Sequence, residues 1–209
     1  MRLDHTLTLV VLMDDTRIDD RMDHTLTLVV LIQCPPMNNV ICGIDPGLGT
    51  TGYAVIRTGD FASRSPAGIA ILDAGVCRFD RKETLSNRLL AIDTDIAAIL
   101  DEHRPHIVAV EQLYAHYNHP RTAILMGHAR GVILLAAARR NIEMQSYAAT
   151  QVKRYLTGRG RADKAQVQRA VQVALGLPNL PDPPDVADAL AIALCCAGTY
   201  DRVRMEASA

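Results

Sequence analysis

From Val40 onward the hydrophobic pattern switches repeatedly between strand-like runs and helical spacing. Val40–Asp45 (VICGID) is a short apolar run ending in Asp-Pro-Gly, which predicts a strand entering a turn. Thr51–Ile56 and Gly68–Phe79 read as two further strands, separated by a Gly/Ser/Pro-containing loop at Thr58–Ala67. In Leu85–His103, apolar residues recur at three-to-four spacing (Leu85, Leu89, Ile92, Ile96, Ile99, Leu100), the mark of an amphipathic helix, and Pro105 closes it. His106–Glu111 (HIVAVE) is a buried-strand run that ends in a carboxylate, Pro120–Arg140 a long Ala-rich helix, and Glu143–Tyr147 a short strand. Helices over Thr150–Leu156 and Lys164–Leu175 flank Gly158-Arg159-Gly160-Arg161, and a stretch punctuated by Pro178, Pro181, Pro183 and Pro184 leads to a last helix, Asp185–Gly198. Three hairpin-like strands, then helix, strand, helix, strand and helices predict an α/β domain, a mixed sheet with helices on both faces.

The first 39 residues do not share this pattern. DHTLTLVVL occurs at Asp4–Leu12 and again at Asp23–Leu31, nineteen residues later. Each copy has strand character, but two copies are too few for a solenoid, and nothing later in the chain matches them. A secretory signal would need a basic start and a longer apolar stretch without aspartates. Pro35-Pro36 halts any strand or helix running through it, so residues 1–37 are expected to lie outside the fold, with a native start at or near Met37. The alternative is a genuine edge hairpin or partner-binding arm. Residues 38–200 form the expected domain and 201–209 a tail.

Composition sharpens this division. The 209 residues are 49% hydrophobic and 22% charged, which excludes a wholly disordered chain. A net charge of −1 argues, as a total, against a general nucleic-acid coat. Its distribution says otherwise: residues 1–39 hold six Asp and three Arg, a net of −3, whereas the other 170 hold 19 Lys/Arg against 17 acids, a net of +2. Between Ala149 and Gln172, Lys153, Arg154, Arg159, Arg161, Lys164 and Arg169 face only one acid, Asp163. Such clustering suits a DNA backbone track, although a solvated helical face would look the same. Arg121 and Arg130 can extend the track or serve packing. The five cysteines show no metal-ligand spacing and fit a reducing, cytoplasmic setting, and no run approaches the ~18 apolar residues of a membrane helix.

The chemically informative residues are acids placed where burial makes them costly. Asp45 and Glu111 end apolar strand runs; Asp185 and Asp188, three apart, share one face of an otherwise apolar helix. Four carboxylates at one end of a sheet would repel one another and hold protons unless a cation joined them, and Mg²⁺ prefers oxygen ligands. Each acid also has an ordinary reading: Asp45 as a turn residue, Asp185 as an N-cap, Asp188 as a partner of the helix dipole. The Gly-rich stretch Asp45–Val55 (DPGLGTTGYAV) can let backbone N–H groups and Thr hydroxyls approach a phosphate, or can be a plain glycine hairpin.

As a set, GIDPGLGTTGYAVI (Gly43–Ile56), VEQLYAHYN (Val110–Asn118), GHARGV (Gly127–Val132), YAATQVKRYLTGRGRADKAQVQ (Tyr147–Gln168) and DVADALAIAL (Asp185–Leu194) resemble the RuvC-type Holliday-junction resolvases, in the family's order and over about residues 40–198. The resemblance implies an RNase H-like fold, a homodimer and two Mg²⁺ per subunit, with Mn²⁺ as a substitute. The four acids it implies as metal ligands fall on Asp45, Glu111, Asp185 and Asp188. It places lysines needed for activity on Lys153 and Lys164, and an aromatic that helps open or hold the junction on Tyr114. Arg121, Arg130, Arg154, Arg159 and Arg161 are then candidates for DNA contact, and Tyr117 could stack on unpaired bases or belong to a core. The implied partners are four-way junction DNA and a branch-migration motor, with no membrane, and the helix Thr122–Ala138 is a candidate dimer surface. His128 departs from the family's usual Gln, and the loop Thr58–Ala67 is longer than usual. Two rivals stay open: an actin-like or sugar-kinase-like ATPase built on the Asp45 hairpin, and a junction-binding protein without catalysis. The first would need a second phosphate hairpin and an adenosine-binding Gly-Gly segment, and the sequence contains neither. The second is disfavoured by the presence of all four acids.

Overall fold

A computed structural model describes residues 39–59, 68–113 and 120–207; the duplicated N-terminal segment, the loop at 60–67 and the stretch holding Tyr114 and Tyr117 lie outside the described residues. Ten elements follow in the order β1 (Val40–Asp45), β2 (Thr50–Thr58), β3 (Ile69–Arg78), α1 (Leu85–His103), β4 (Ile107–Glu111), α2 (Pro120–Ala138), β5 (Glu143–Tyr147), α3 (Ala149–Thr157), α4 (Lys164–Leu175) and α5 (Pro184–Ala207). The sheet order is β3-β2-β1-β4-β5, with β1–β2 and β2–β3 antiparallel and β1–β4 and β4–β5 parallel. It is the mixed α/β sheet expected from the pattern. The last helix runs past Gly198 to Ala207, so most of the segment assigned to a tail is helix.

Strand alternation divides the core in two. Cys42, Ile44, Val55 and Val108 pack on one face with Ile92 and Ile96 of α1 and Ile133 of α2. Ile41, Ala54, Ile56, Ile107 and Ala109 pack on the other with α3, α4 and α5, where Leu190, Ile192 and Leu194 are almost fully buried. Helix α5 lies directly on β1 and β2 because glycines there leave room for it. A Cβ on Gly43 would come 2.3 Å from the Ala189 carbonyl oxygen, and one on Gly52 would come 2.2 Å from that of Asp185. This revises the reading of the Gly-rich stretch: Gly52 admits a helix backbone. Thr51 is likewise turned inward, fully buried, its hydroxyl donating to the Gly47 carbonyl oxygen at 2.8 Å.

Helix α2 is apolar on average although it holds no unbroken apolar run. Arg121–Ala138 is 18 residues with a mean hydropathy of 1.2, long and apolar enough by length and composition to cross a membrane. The unbroken-run criterion missed it because His128 and Arg130 interrupt a stretch that alanines and glycines keep apolar on average. In this fold Ala129, Ile133, Ala136 and Ala137 of the same helix are fully buried, and α2 packs on α1.

The close approach of α5 gives a direct test. Gly43→Ala forces a Cβ into the Ala189 carbonyl, and overpacking of this kind costs about 1–3 kcal/mol. Urea denaturation should show a lower midpoint for this variant, with an unchanged slope.

Candidate active site

Alternation along β1 and β4 decides where the first two acids stand. Asp45 is in step with Ile41 and Gly43, and Glu111 with Ile107 and Ala109, so both belong to the face that α5 covers. Because Ile44 pairs with Val110 in parallel register, the two carboxylates end neighbouring strands at the same edge. Pro184 is the first residue of α5, as its fixed φ and missing N–H favour, which puts Asp185 inside the first turn and removes its N-cap reading. Asp188 follows on the next turn. Asp45, Glu111 and Asp188 line one pocket of about 280 Å³ with Lys153, Lys164, Val152 and Ile192. Asp185 lines a separate groove, with the turn that follows Asp45 and the start of α2.

The electrostatics are those of crowded acids. Burial, and then the charges of Glu111, Asp188 and Asp185, push the Asp45 carboxyl up to about 7, against a smaller opposing pull from Lys164. Glu111 is raised by burial and then by Asp188, while Lys153 and Lys164 pull it down. Asp188 is raised by burial, with Lys164 opposing and Asp185 adding to the rise. The Lys164 Nζ stands 3.6 Å from Asp188 Oδ2.

Mutually raised, oxygen-only acids suit a hard divalent cation, which relieves the repulsion that burial amplifies. The donors fit such an ion by chemistry and grouping. Among the described residues, however, no three acidic, His or Cys groups already stand in a metal-binding cluster. Asp45, Glu111, Asp185 and Asp188 are the residues available to hold the ion.

The basic residues divide into two sets. Lys153 is half-buried on α3 and lines the acid pocket, and Lys164 opens α4. A lysine in the first turn opposes the helix dipole, and that local penalty marks the position as one with another task. Asp163 accepts a hydrogen bond from the Gln166 N–H at 2.8 Å and completes a capping box, so the one acid of the basic segment serves the α4 N-terminus. Arg154, Arg159 and Arg161 are exposed around the α3–α4 connection, and Arg121 is exposed on the first turn of α2. For Arg130, left between the DNA track and packing, the structure shows packing contacts. Its Nε donates to the Glu111 carbonyl oxygen at 3.3 Å and its Nη2 to Ser146 Oγ at 2.7 Å, so it braces the ends of β4 and β5. The sequence carried no sign of this brace, because an Arg in a small-residue helix looks alike whether it faces solvent or sheet.

The raised Asp45 carboxyl makes a pH prediction. Its folded-state pKa lies above the ordinary carboxylate value, so the folded state binds the extra proton, and without metal its stability falls as pH rises from about 4 to about 7. Asp45→Asn should therefore melt higher than the wild type at pH 8 in EDTA and differ little at pH 4; each kcal/mol regained is worth about 2–4 °C in a domain of this size. Differential scanning calorimetry at the two pH values measures it.

A family model described as crossover junction endodeoxyribonuclease RuvC matches residues 41–196. The crossover junction endodeoxyribonuclease RuvC of Rhodopirellula baltica is 48% identical over 161 residues, 77% of this chain and 87% of that protein. That of Heliobacterium modesticaldum is 45% identical over 158 residues, 76% of this chain and 93% of its own length. A solved structure described as Thermus thermophilus RuvC in complex with Holliday junction substrate superposes with a TM-score of 0.70 at 33% identity, covering 79% of this chain and 96% of that one. With the acids at the sheet edge and the RNase H-like order of strands, these matches show that the chain belongs to the RuvC family of crossover junction endodeoxyribonucleases.

Proposed function

We propose that this chain is a Mg²⁺-dependent endonuclease that resolves four-way DNA junctions by paired, symmetric nicks, leaving a 5′-phosphate and a 3′-hydroxyl. The observation that carries the reading is the convergence of Asp45, Glu111 and Asp188 with Lys153 and Lys164 in one pocket, with Asp185 beside it, in a chain of this family. The ATPase and binding-only readings are not favoured, since the relatives are nucleases and no acid of the set is missing.

Two Mg²⁺ per subunit, or Mn²⁺ in their place, when bound, would polarise the scissile phosphate and lower the pKa of a coordinated water. Asp45, Glu111, Asp185 and Asp188 are the residues that would hold them. Lys153 and Lys164 keep the acids' charge tolerable, since both pull the Glu111 carboxyl down. They also stand where charge on the reacting phosphate would need an opposing cation. Arg154, Arg159 and Arg161, exposed beside the pocket, follow the DNA backbone, and Arg121 extends that track. Tyr114, three residues beyond Glu111, meets the bases at the branch point. A branch-migration motor delivers the junction, and the setting is the cytoplasm. Residues 1–37 stand outside the nuclease domain, a division supported by the family match beginning at residue 41.

Two symmetric cuts call for two identical sites at a fixed separation, which a homodimer supplies. Helix α2 offers the surface. Ile124 is 63% and Leu135 48% exposed, and at helical spacing between them lie Gly127 and Gly131, each with nothing near the position of an added Cβ. A second copy of α2 could approach closely there.

Two experiments follow. A labelled synthetic four-way junction incubated with the protein and Mg²⁺ should be nicked symmetrically in opposed strands. EDTA should abolish the nicking, and Asp45→Asn should lower the rate beyond the about 10–100-fold typical of residues that only orient a ligand. Binding without nicking by the wild type would favour the binding-only reading. In sedimentation-velocity runs the wild type should be a dimer, and Ile124→Glu, which sets a charge on the exposed face of α2, should shift it to monomer.

A further inference from the structure

The strand that crosses the acid cluster must continue beyond it, and the structure holds a second concavity where it would do so. A groove of about 410 Å³ adjoins the cluster, with Asp185 in one wall and Gly49, Arg81, Arg88 and Thr122 among the rest. Asp185 lines this groove, and Asp188, three residues further along α5, lines the pocket of Asp45 and Glu111, so the two concavities are separate and each takes one acid from the start of α5.

The two arginines of the groove differ in what they do. The Arg88 Nε donates to the Leu48 carbonyl oxygen at 3.0 Å, and its Nη2 donates to the same oxygen, so this guanidinium fixes the turn that follows Asp45. Arg81 lies against that turn. A Cβ at Gly49 would stand 2.8 Å from its Nε and 3.1 Å from its Nη2, so the guanidinium is seated directly against the Gly49 backbone. Arg81 is exposed and makes no ion pair among the described residues, whereas Arg139 and Arg140 are paired with Asp93 and Asp101. Of the acids in its own turn, Asp80 accepts the Lys82 N–H and Glu83 the Asn87 side chain. A seated, unpaired guanidinium beside a carboxylate cluster is suited to an anionic ligand that the cluster alone would repel.

We infer that this groove binds a backbone phosphate of the cut strand next to the scissile one, with Arg81 as its charged contact. The inference rests on the nuclease reading above and adds to it a subsite on the side of Asp185 away from Lys153 and Lys164. Every nucleotide carries a phosphate, so a strand held by the lysines on one side brings another charge past Asp185 on the other. Arg81 meets that charge, Arg88 keeps the turn beneath it rigid, and the Thr122 hydroxyl is a neutral donor in the same wall.

The test is nicking kinetics on synthetic junctions in which single phosphates flanking the scissile one are neutralised as methylphosphonates. In Arg81→Ala, KM for the unmodified junction should rise by about fivefold, more than kcat falls, and the dependence of log KM on log salt should flatten by about 0.9, the loss of one phosphate contact. One methylphosphonate should weaken the wild type to the level of Arg81→Ala and add nothing to that variant, and Arg81→Lys should regain most of the salt dependence. An Arg81→Ala protein with wild-type KM and salt slope, or losses that add at every flanking phosphate, would overturn the subsite while leaving the nuclease reading intact. A wild-type protein that does not nick junctions would overturn both.

Discussion

Helix α5 touches the sheet backbone to backbone, and the placement of the acids depends on that contact. Gly43 and Gly52 are the positions that allow it, each leaving no room for a Cβ against the α5 carbonyls of Ala189 and Asp185. A helix held off by ordinary side chains would sit farther from the strands. Asp185 and Asp188 would then stand back from Asp45 and Glu111. Burial raises the Asp45, Glu111 and Asp188 carboxyls, and the further rise that neighbouring acids add is the electrostatic signature of that closeness. The fold supplies the attraction, through the buried Leu190, Ile192 and Leu194, that keeps four like charges together until a cation arrives.

The acid cluster was legible in the sequence because each member broke a local pattern. Asp45 and Glu111 end apolar runs, and Asp185 and Asp188 interrupt an apolar helix, so their cost shows without a structure. The element order was legible for a similar reason: alternation and three-to-four spacing are strong signals in β4 and α1. What could not be read were properties that depend on two distant segments meeting. Gly43 and Gly52 look like small residues in a strand and a turn, and only the helix that arrives some 140 residues later makes them obligatory. Arg130, left between a DNA track and packing, bonds to two strand ends; Thr51, in a stretch that could equally face a phosphate or form a plain hairpin, is buried. Arg81 left no trace at all, since a basic residue in a turn of mixed charge (Asp80-Arg81-Lys82-Glu83) has no periodicity to violate.

Helix α2 shows the opposite limit. Its residues are apolar nearly all round, so no face can be assigned by pattern, and by hydropathy alone it would suit a bilayer. Its partners separate the faces: Ala129, Ile133, Ala136 and Ala137 are covered, while Ile124, Gly127, Gly131 and Leu135 are left outside. One helix thus divides its surface between the core of its own domain and a face that the domain leaves uncovered.

The cysteines give the fold a property unrelated to cleavage. Cys42, Cys77, Cys195 and Cys196 form no disulfide and are all buried, with Cys195 and Cys196 on the helix that carries two of the acids. Burial pushes the Cys42 and Cys195 thiols up to about 12, so at neutral pH neither is an effective nucleophile. An alkylating reagent can reach Cys195 and Cys196 only when α5 parts from the elements packed on it, and the rate at which those two thiols are labelled would therefore follow such openings. The helix that assembles the acids thus carries an internal clock for its own detachment.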